Sequence, residues 1–576
     1  MYSNHNIPQL KTSDFFKMEM MKANIKAIFT LPLLVIFFTP YLFAQKDPAW
    51  DNTAESQWNS RFQKVEIPSS VDGKIQHAYL YTSKSVTPKP LIISLHTWSG
   101  DFTQDDPIAN EITARDWNYI HPDFRGANNK PSAMGSPLVI ADIEDAIQFA
   151  LKKTNADPED VHIVGVSGGG MATLIAFMNI KFPVKSFSAW APISDIEAWY
   201  WESVGRKQKY AGDMLKAVSK DSLFNEQEAR HRSPLFQKFP QALRKNAKLY
   251  IYEGIHDGYT GSVPITHSIN MYNRLVGELK YTTTNTDQIM SMAAKDTDLV
   301  SEKEIINLIT KRINPAYNKT ETLYGRNIYL TRAYQNIQLT IFEGGHEQLP
   351  QAAALIPAKK TASPALNIFT IGDSNGQNKD GWVDQLKKLL PSSSIFNSSQ
   401  SGRTIGFDNN GQKALNALSN IDSYLKEAQQ KIGNKKYDYI IVCLGTNDAK
   451  KEFSERQDEV VKNFDALLNK IIRHPLYKQS LPKLIYVTPP PIRTKNIAEK
   501  YAGGSERIEQ LITKFTPIAE HYGFRVIDVY HPLIGILDYY AADGVHMAGA
   551  GQEIIAGKIV DAINLFQRSS RSVENQ

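Results

Sequence analysis

The sequence predicts an α/β protein of two domains, each a parallel sheet covered by helices, and three observations carry that prediction. Short apolar runs alternate with helical repeats through both halves of the chain. Each half has its own glycine-flanked serine at the end of such a run, Ser167 in the first and Ser374 in the second. Between the halves lies Pro357-Ala358-Lys359-Lys360-Thr361-Ala362-Ser363-Pro364, a stretch of small, polar and proline residues with the composition of a linker. At 576 residues the chain has length for two or three domains with adequate cores.

The first 44 residues read as a signal peptide. Lys22 and Lys26 precede an apolar run over 27–38, and Phe43-Ala44-Gln45 offers a small residue at a cleavage point. The expectation is export to a periplasm or the cell exterior, with an uncleaved membrane anchor as the competing reading. Residues 45–356 form the first domain. Its strand candidates are 91–95, 161–166, 249–252 and 339–342, and Ile143, Ala146, Ile147, Ala150 and Leu151 mark a helix between two of them. A polar stretch over 281–327 fits no strand and reads as an insertion on the rim where catalytic loops emerge, either a lid or a surface decoration. After a linker at 357–365, residues 366–576 repeat the pattern. Strands are expected at 368–371, 439–444, 484–488 and 526–529, with a helix marked by Val460, Phe464, Leu467, Leu468 and Ile471.

Composition excludes several classes of function. The formal charge of +5 comes without a long basic run or an aromatic-interleaved basic stretch, so nucleic-acid binding is not expected. The single cysteine, Cys443, sits in Ile440-Ile441-Val442-Cys443-Leu444 and reads as a small core hydrophobe. Histidines and acids do not cluster at ligand spacing, so no metal or other cofactor is expected. Nothing calls for an obligatory protein partner.

Gly165-Val166-Ser167-Gly168-Gly169 follows a strand and opens a helical segment, the setting of a nucleophile elbow. A serine hydroxyl needs a base to take its proton and an acid to orient that base. Downstream, Glu253-Gly254-Ile255-His256-Asp257 and Glu343-Gly344-Gly345-His346-Glu347 follow later strands, which gives the chain order Ser167, Asp257, His346. Glu253 and Glu347 compete for the role of acid, and His256 for that of base. Oxyanion donors are expected from the Gly168 N–H and from Thr97 or Trp98 in His96-Thr97-Trp98-Ser99-Gly100. Trp98 has two further readings, a sugar platform or core packing. Residues 60–355, through these segments and His121-Pro122-Asp123-Phe124-Arg125-Gly126, resemble the prolyl oligopeptidase-like α/β-hydrolases, in particular bacterial carbohydrate esterases. Under that resemblance Arg125 either meets a uronate carboxylate or is structural.

In the second half, Gly372-Asp373-Ser374-Asn375, Ser401-Gly402-Arg403, Gly445-Thr446-Asn447-Asp448 and Asp543-Gly544-Val545-His546 occur in that order. Asp543 and His546 stand three residues apart, so one loop can hold acid and base together. The four blocks resemble the SGNH (GDSL-type) hydrolases, whose domain is flavodoxin-like. The resemblance implies Ser374 as nucleophile, His546 as base and Asp543 as its acid. It places the oxyanion donors on the Ser374 and Gly402 backbones and the Asn447 amide. Asn375 departs from the family pattern, which often has leucine there. Together the two resemblances lead us to expect a bifunctional carbohydrate esterase on a polysaccharide or oligosaccharide ester, with O-acetyl groups removed by the second domain. The first domain would take a methyl, acetyl or feruloyl ester. A prolyl oligopeptidase-type serine peptidase with an accessory deacetylase is the alternative.

Overall fold

The computed structural model describes residues 58–312, 321–359 and 365–574. The expected signal peptide and the middle of the expected linker, 360–364, lie outside the described residues.

Among the described residues, ten strands precede the 357–365 segment. They are β1 (Gln63–Pro68), β2 (Ile75–Tyr81), β3 (Lys89–Leu95), β4 (Asn118–Pro122), β5 (Ala156–Val166), β6 (Ser186–Trp190), β7 (Lys248–Gly254), β8 (Thr322–Leu323), β9 (Arg326–Tyr334) and β10 (Ile337–Phe342). They form one sheet in the order β1-β2-β4-β3-β5-β6-β7-β10-β9-β8. The six strands from β4 to β10 in that order run parallel, whereas β1 and β2 at one end and β9 and β8 at the other pair antiparallel. The sheet is therefore mixed, and its antiparallel ends are the part that sequence patterning missed. The reason is burial. Central strands such as β3 are buried along almost their whole length and read as apolar runs, while β1 alternates buried and exposed residues and carries Lys64 and Glu66.

Four helices of this domain matter below: α1 (Ile108–Arg115), α2 (Pro137–Lys153), α3 (Gly168–Asn179) and α4 (Ile196–Gly205). In α2 the positions Ile143, Ala146, Ile147 and Ala150 are fully buried, as their spacing requires; Leu151 is only partly so. The 281–327 stretch contains helices Thr286–Ala293 and Glu302–Lys311 and the start of the β8–β9 hairpin. Ile289, Ala293 and Leu308 of those helices join the domain's main core, while Ile306 and Ile309 of the second helix stay exposed.

The second sheet holds β11 (Asn367–Gly372), β12 (Ser394–Asn397), β13 (Tyr439–Cys443), β14 (Lys483–Val487) and β15 (Phe524–Ile527), all parallel in the order β12-β11-β13-β14-β15. One layer over it is the helix Gln457–Arg473, whose Val460, Phe464, Leu467, Leu468 and Ile471 are fully buried. The opposite layer includes Trp382–Leu389 and the long helix Gly549–Glu574. Cys443 is buried at the end of β13, where burial pushes its thiol up.

The two sheets share one compact unit. Ala114 at the end of α1 is buried in the second domain's core. The Tyr540 hydroxyl donates to Glu111 Oε1 at 2.7 Å, Arg115 pairs with the same carboxylate at 2.7 Å, and Lys89 meets Asp561 at 2.5 Å. Paired, buried charge of this kind fixes an orientation more than it adds stability.

Candidate active sites

In the first domain, β5 ends at Val166 and α3 begins at Gly168, leaving Ser167 at the corner with φ 59° and ψ −119°. A non-glycine residue holds that conformation only where its surroundings impose it. Here they do: the Ser167 N–H donates to the Trp190 carbonyl at 2.9 Å. Gly165 must be glycine because a Cβ there would stand 2.4 Å from the Gly169 carbonyl oxygen.

Ser167 Oγ lies 2.9 Å from His346 Nε2, and His346 Nδ1 lies 2.5 Å from Asp257 Oδ2. The Gly258 and Val263 N–H groups donate to the other Asp257 oxygen at 2.8 and 3.0 Å, which pins the carboxylate. The competing residues are engaged elsewhere. His256 Nε2 pairs with Glu343 at 2.6 Å. Glu347 accepts from the Gly345 N–H and holds Arg326, bracing the turn that carries His346. Glu253 is buried beside Asp257; that burial, reinforced by the Asp257 charge, pushes its carboxyl far above the usual range.

The Gly168 N–H at the start of α3 has no protein acceptor among the described residues. Of the two candidates for the second donor, the Thr97 N–H is already given to Gln104 Oε1 at 2.9 Å. The Trp98 N–H is unclaimed among the described residues and lies against Gly168, where a Cβ would come within 2.5 Å of it. The geometry thus selects Gly168 and Trp98 as the pair that can face an oxyanion. The Trp98 ring is 2% exposed and packs edge-on to Trp199 at 4.7 Å, so the sugar-platform reading is corrected to core packing. Arg125 is also structural. Its guanidinium is consumed by Asp142 at 2.5 Å, Asp72 at 2.8 Å and the Ser69 hydroxyl, which leaves nothing for a uronate.

In the second domain, β11 delivers Ser374 to the first turn of the short helix Ser374–Gln377. Ser374 Oγ lies 2.8 Å from His546 Nε2, and His546 Nδ1 lies 2.6 Å from Asp543 Oδ2. The N–H groups of Val545 and His546 donate to the other Asp543 oxygen. Burial raises the Asp543 carboxyl, but its bonds from the His546 ring and these two N–H groups outweigh that and hold it well below the usual range. The same Asp543 bond lifts His546 above an ordinary histidine, against the opposing effect of burial.

The three expected oxyanion donors come from three loops, and residues that sequence reading left without a role hold them. Asp448 accepts from the Ile405 N–H with both oxygens, at 2.9 and 3.1 Å, and ties the Gly402 loop to the Asn447 loop. Burial pushes its carboxyl up to about 7. Lys450 Nζ donates to Asn409 Oδ1 at 2.9 Å, and Asn409 Nδ2 in turn donates to the Gly402 carbonyl at 2.5 Å. Gly402 itself needs φ +80°, which favours glycine. The Asn447 amide gives one hydrogen to the Arg403 carbonyl at 3.1 Å, and its second hydrogen is left for a ligand. The departure at Asn375 has a partner: its Oδ1 accepts from Gln552 Nε2 at 2.8 Å, both side chains being buried.

Residues 369–554 match the GDSL-like lipase/acylhydrolase family, and residues 135–296 match the prolyl oligopeptidase family. No curated protein matches the chain. Among solved structures, Est24, a carbohydrate acetylesterase from Sinorhizobium meliloti, is similar at 18% identity over 35% of this chain and 99% of its own, with a TM-score of 0.30. The native aryl esterase of M. smegmatis shows 20% identity over 35% and 99%, with a TM-score of 0.29. The acylaminoacyl peptidase of Pyrococcus horikoshii shows 20% identity over 37% and 34%, with a TM-score of 0.30.

Proposed function

We propose that this serine hydrolase, a prolyl oligopeptidase-like domain joined to a GDSL-like acylhydrolase domain, is an exported, two-site esterase acting on a polysaccharide. One observation carries the reading. Both serines stand in a continuous Ser–His–Asp hydrogen-bonded line, and each has N–H donors beside it that no described residue claims.

The chemistry follows from that arrangement. Serine Oγ attacks the ester carbonyl while histidine Nε2 takes its proton, and the carbonyl electrons move onto the oxygen held by the N–H donors. Collapse expels the alcohol, which leaves with the proton now on the histidine. Water then repeats the sequence against the acyl-serine, releasing the acid and restoring the serine. At each site the aspartate fixes the imidazole tautomer and stabilises the imidazolium formed in both halves. Acetyl esters are assigned to Ser374. A methyl, acetyl or feruloyl ester is assigned to Ser167, on the strength of the sequence resemblance to carbohydrate esterases. Joining the two gives each a high local concentration near the other's product on one polymer.

The match of residues 135–296 to the prolyl oligopeptidase family favours a second reading, peptide hydrolysis at Ser167. The test uses Ser167→Ala and Ser374→Ala separately, assayed on acetyl, methyl and feruloyl esters beside a peptide substrate. Each substitution is expected to abolish a different ester activity. Loss of every ester activity with one substitution overturns the two-site reading, and peptide cleavage lost only with Ser167→Ala replaces the esterase reading of the first domain.

A further inference from the structure

The segment between β6 and β7 leaves the sheet at the same edge as Ser167, because β6 runs parallel to β5. Its first helix, α4, is fixed to both halves of the first site. Trp199 packs on Trp98, and the Arg206 guanidinium donates to the carbonyls of Gly258, Gly261 and Ser262 in the loop that carries Asp257. Trp201, two residues beyond Trp199, points about 200° away around the helix and therefore outward. It is 53% exposed, an unusual state for an indole.

The surroundings of Trp201 form a brace. Tyr200 and Phe224 stack face to face, with centroids 3.7 Å apart and planes 3° from parallel. Trp201 lies 5.0 Å from Tyr200 and 6.4 Å from Phe224, turned 75° and 74° to them. Those separations place Trp201 level with Tyr200 and beside its rim, so the Tyr200 edge meets one face of the indole. The opposite face is the open one. Phe224 is delivered by the turn Lys220–Leu223, closed by two backbone hydrogen bonds of 3.0 Å. Its central residues, Asp221 and Ser222, both have positive φ, 52° and 64°, without being glycine. Strain of this kind persists where the fold imposes it. Here it holds a rigid aromatic support under an exposed indole face.

We propose that the open face of Trp201 is a carbohydrate subsite that stacks a pyranose ring of the polymer whose ester is cleaved at Ser167. The proposal rests on the reading of the first site as a carbohydrate esterase. A pyranose presents a flat C–H face to the electron-rich face of an indole and hydroxyls around its rim. The rim has a polar neighbour: Glu197, four residues before Trp201 on the same helix face, carries an ion pair with Arg230. Other occupants fit worse. A quaternary ammonium needs several ring faces around one void, but Tyr200 and Phe224 spend theirs on each other. A stable protein interface needs about 800 Å² per partner, whereas one half-exposed indole with the exposed Val204 and Leu223 near it offers on the order of 300 Å².

The test measures binding apart from turnover. The full chain carrying Ser167→Ala and Ser374→Ala is run through native gels cast with xylan, galactomannan or pectin, with and without Trp201→Ala. Retardation by at least one polymer, weakened about tenfold by Trp201→Ala and largely kept by Trp201→Phe, is the expected result. Retardation by none of the three, or retardation indifferent to Trp201→Ala, overturns the subsite whatever ester Ser167 cleaves. With Ser374→Ala alone, Trp201→Ala should raise KM for a polymeric ester about tenfold and change kcat less than twofold. If the chain turns over no carbohydrate ester while the gels still show Trp201-dependent retardation, the esterase reading fails and the subsite stands.

Discussion

The two candidate sites build the same hydrogen-bonded line from opposite materials. In the first, acid and base are separated by 89 residues and come from loops after different strands; the Asp257 side chain is wholly buried, beside the buried Glu253. In the second, acid and base are three residues apart on one loop, and the Asp543 side chain is 55% exposed. Burial decides what each aspartate must do. The Asp257 side chain is shut off from solvent, so under the proposed mechanism an imidazolium at His346 would depend on that carboxylate. Around Asp543 solvent shares the task. Replacing each acid separates the sites most strongly. Asp257→Asn should reduce kcat/KM at the first site by about 10⁴-fold, and Asp543→Asn should reduce it at the second by on the order of 10²-fold. Each loss is measured with the other serine replaced by alanine. Equal losses would show that burial of the acid is not what distinguishes the sites.

The candidate oxyanion donors differ in the same direction. The first site offers only backbone N–H groups, Gly168 and Trp98, whereas the second includes the Asn447 side chain. Asn447→Ala should therefore cost about 10²- to 10³-fold in kcat at the second site with little change in KM. The first site can be reached only through its support. Gln104→Ala removes the acceptor that holds the Thr97 N–H and hydroxyl, and should lower kcat there by about tenfold as the Trp98 loop loosens. If Gln104→Ala instead raised activity, the Thr97 N–H would be the donor and Gln104 its inhibitor.

Legibility in the sequence followed the same division. Acid and base on one loop can be read from spacing, whereas the oxyanion donors are only what the family resemblance of the four blocks implies; the structure sets Ser374, His546 and Asp543 within hydrogen-bond distance in turn. Asp257 was separable from Glu253 and Glu347 only by position along the chain, because what excludes the others is three-dimensional: one is buried against Ser268, the other is tied to Arg326. Arg125 carries a charge that suits a substrate, and only the buried Asp142 and the exposed Asp72 that it pairs with reveal its structural use. The strands followed burial as well. Central strands declared themselves as apolar runs, while β1, polar on alternate residues, and β9, mostly half-buried with mixed polar residues, did not. The Asp448 clamp and the Lys450–Asn409 relay had no sequence signal beyond residue type, since their partners lie tens of residues away.

The pH dependence gives a smaller but directional contrast. His546 works as a base only when neutral, and its bond to Asp543 raises its affinity for a proton above an ordinary histidine. Its neutral form is therefore lost as pH falls through a value above the usual 6.5, and the acid limb of kcat/KM at the second site should lie on that side. Asp543→Asn removes the cause. The limb should move to lower pH although the plateau falls, as a profile on an acetyl ester with Ser167→Ala would show. A limb that stays in place would mean that another group governs it.

The smallest effect separates family pattern from local chemistry at Asn375. The side chain lies under the Ser374 turn and accepts from Gln552 in the helix that follows the catalytic loop, so the two buried amides satisfy one another in part. Asn375→Leu restores the family's common residue but strips Gln552 Nε2 of its best acceptor, leaving only the Met547 carbonyl at 3.4 Å. A buried donor without a partner costs about 1–3 kcal/mol, so the single substitution should destabilise the second domain by roughly that amount in a urea titration. Adding Gln552→Leu removes the orphaned donor and should recover most of the loss, since replacing both polar partners by apolar groups of similar shape is nearly neutral. Recovery would identify Asn375 and Gln552 as one exchangeable unit. Were the double variant as unstable as the single one, the asparagine would be held by the packing of the Ser374 turn itself, and its pairing with Gln552 would be incidental.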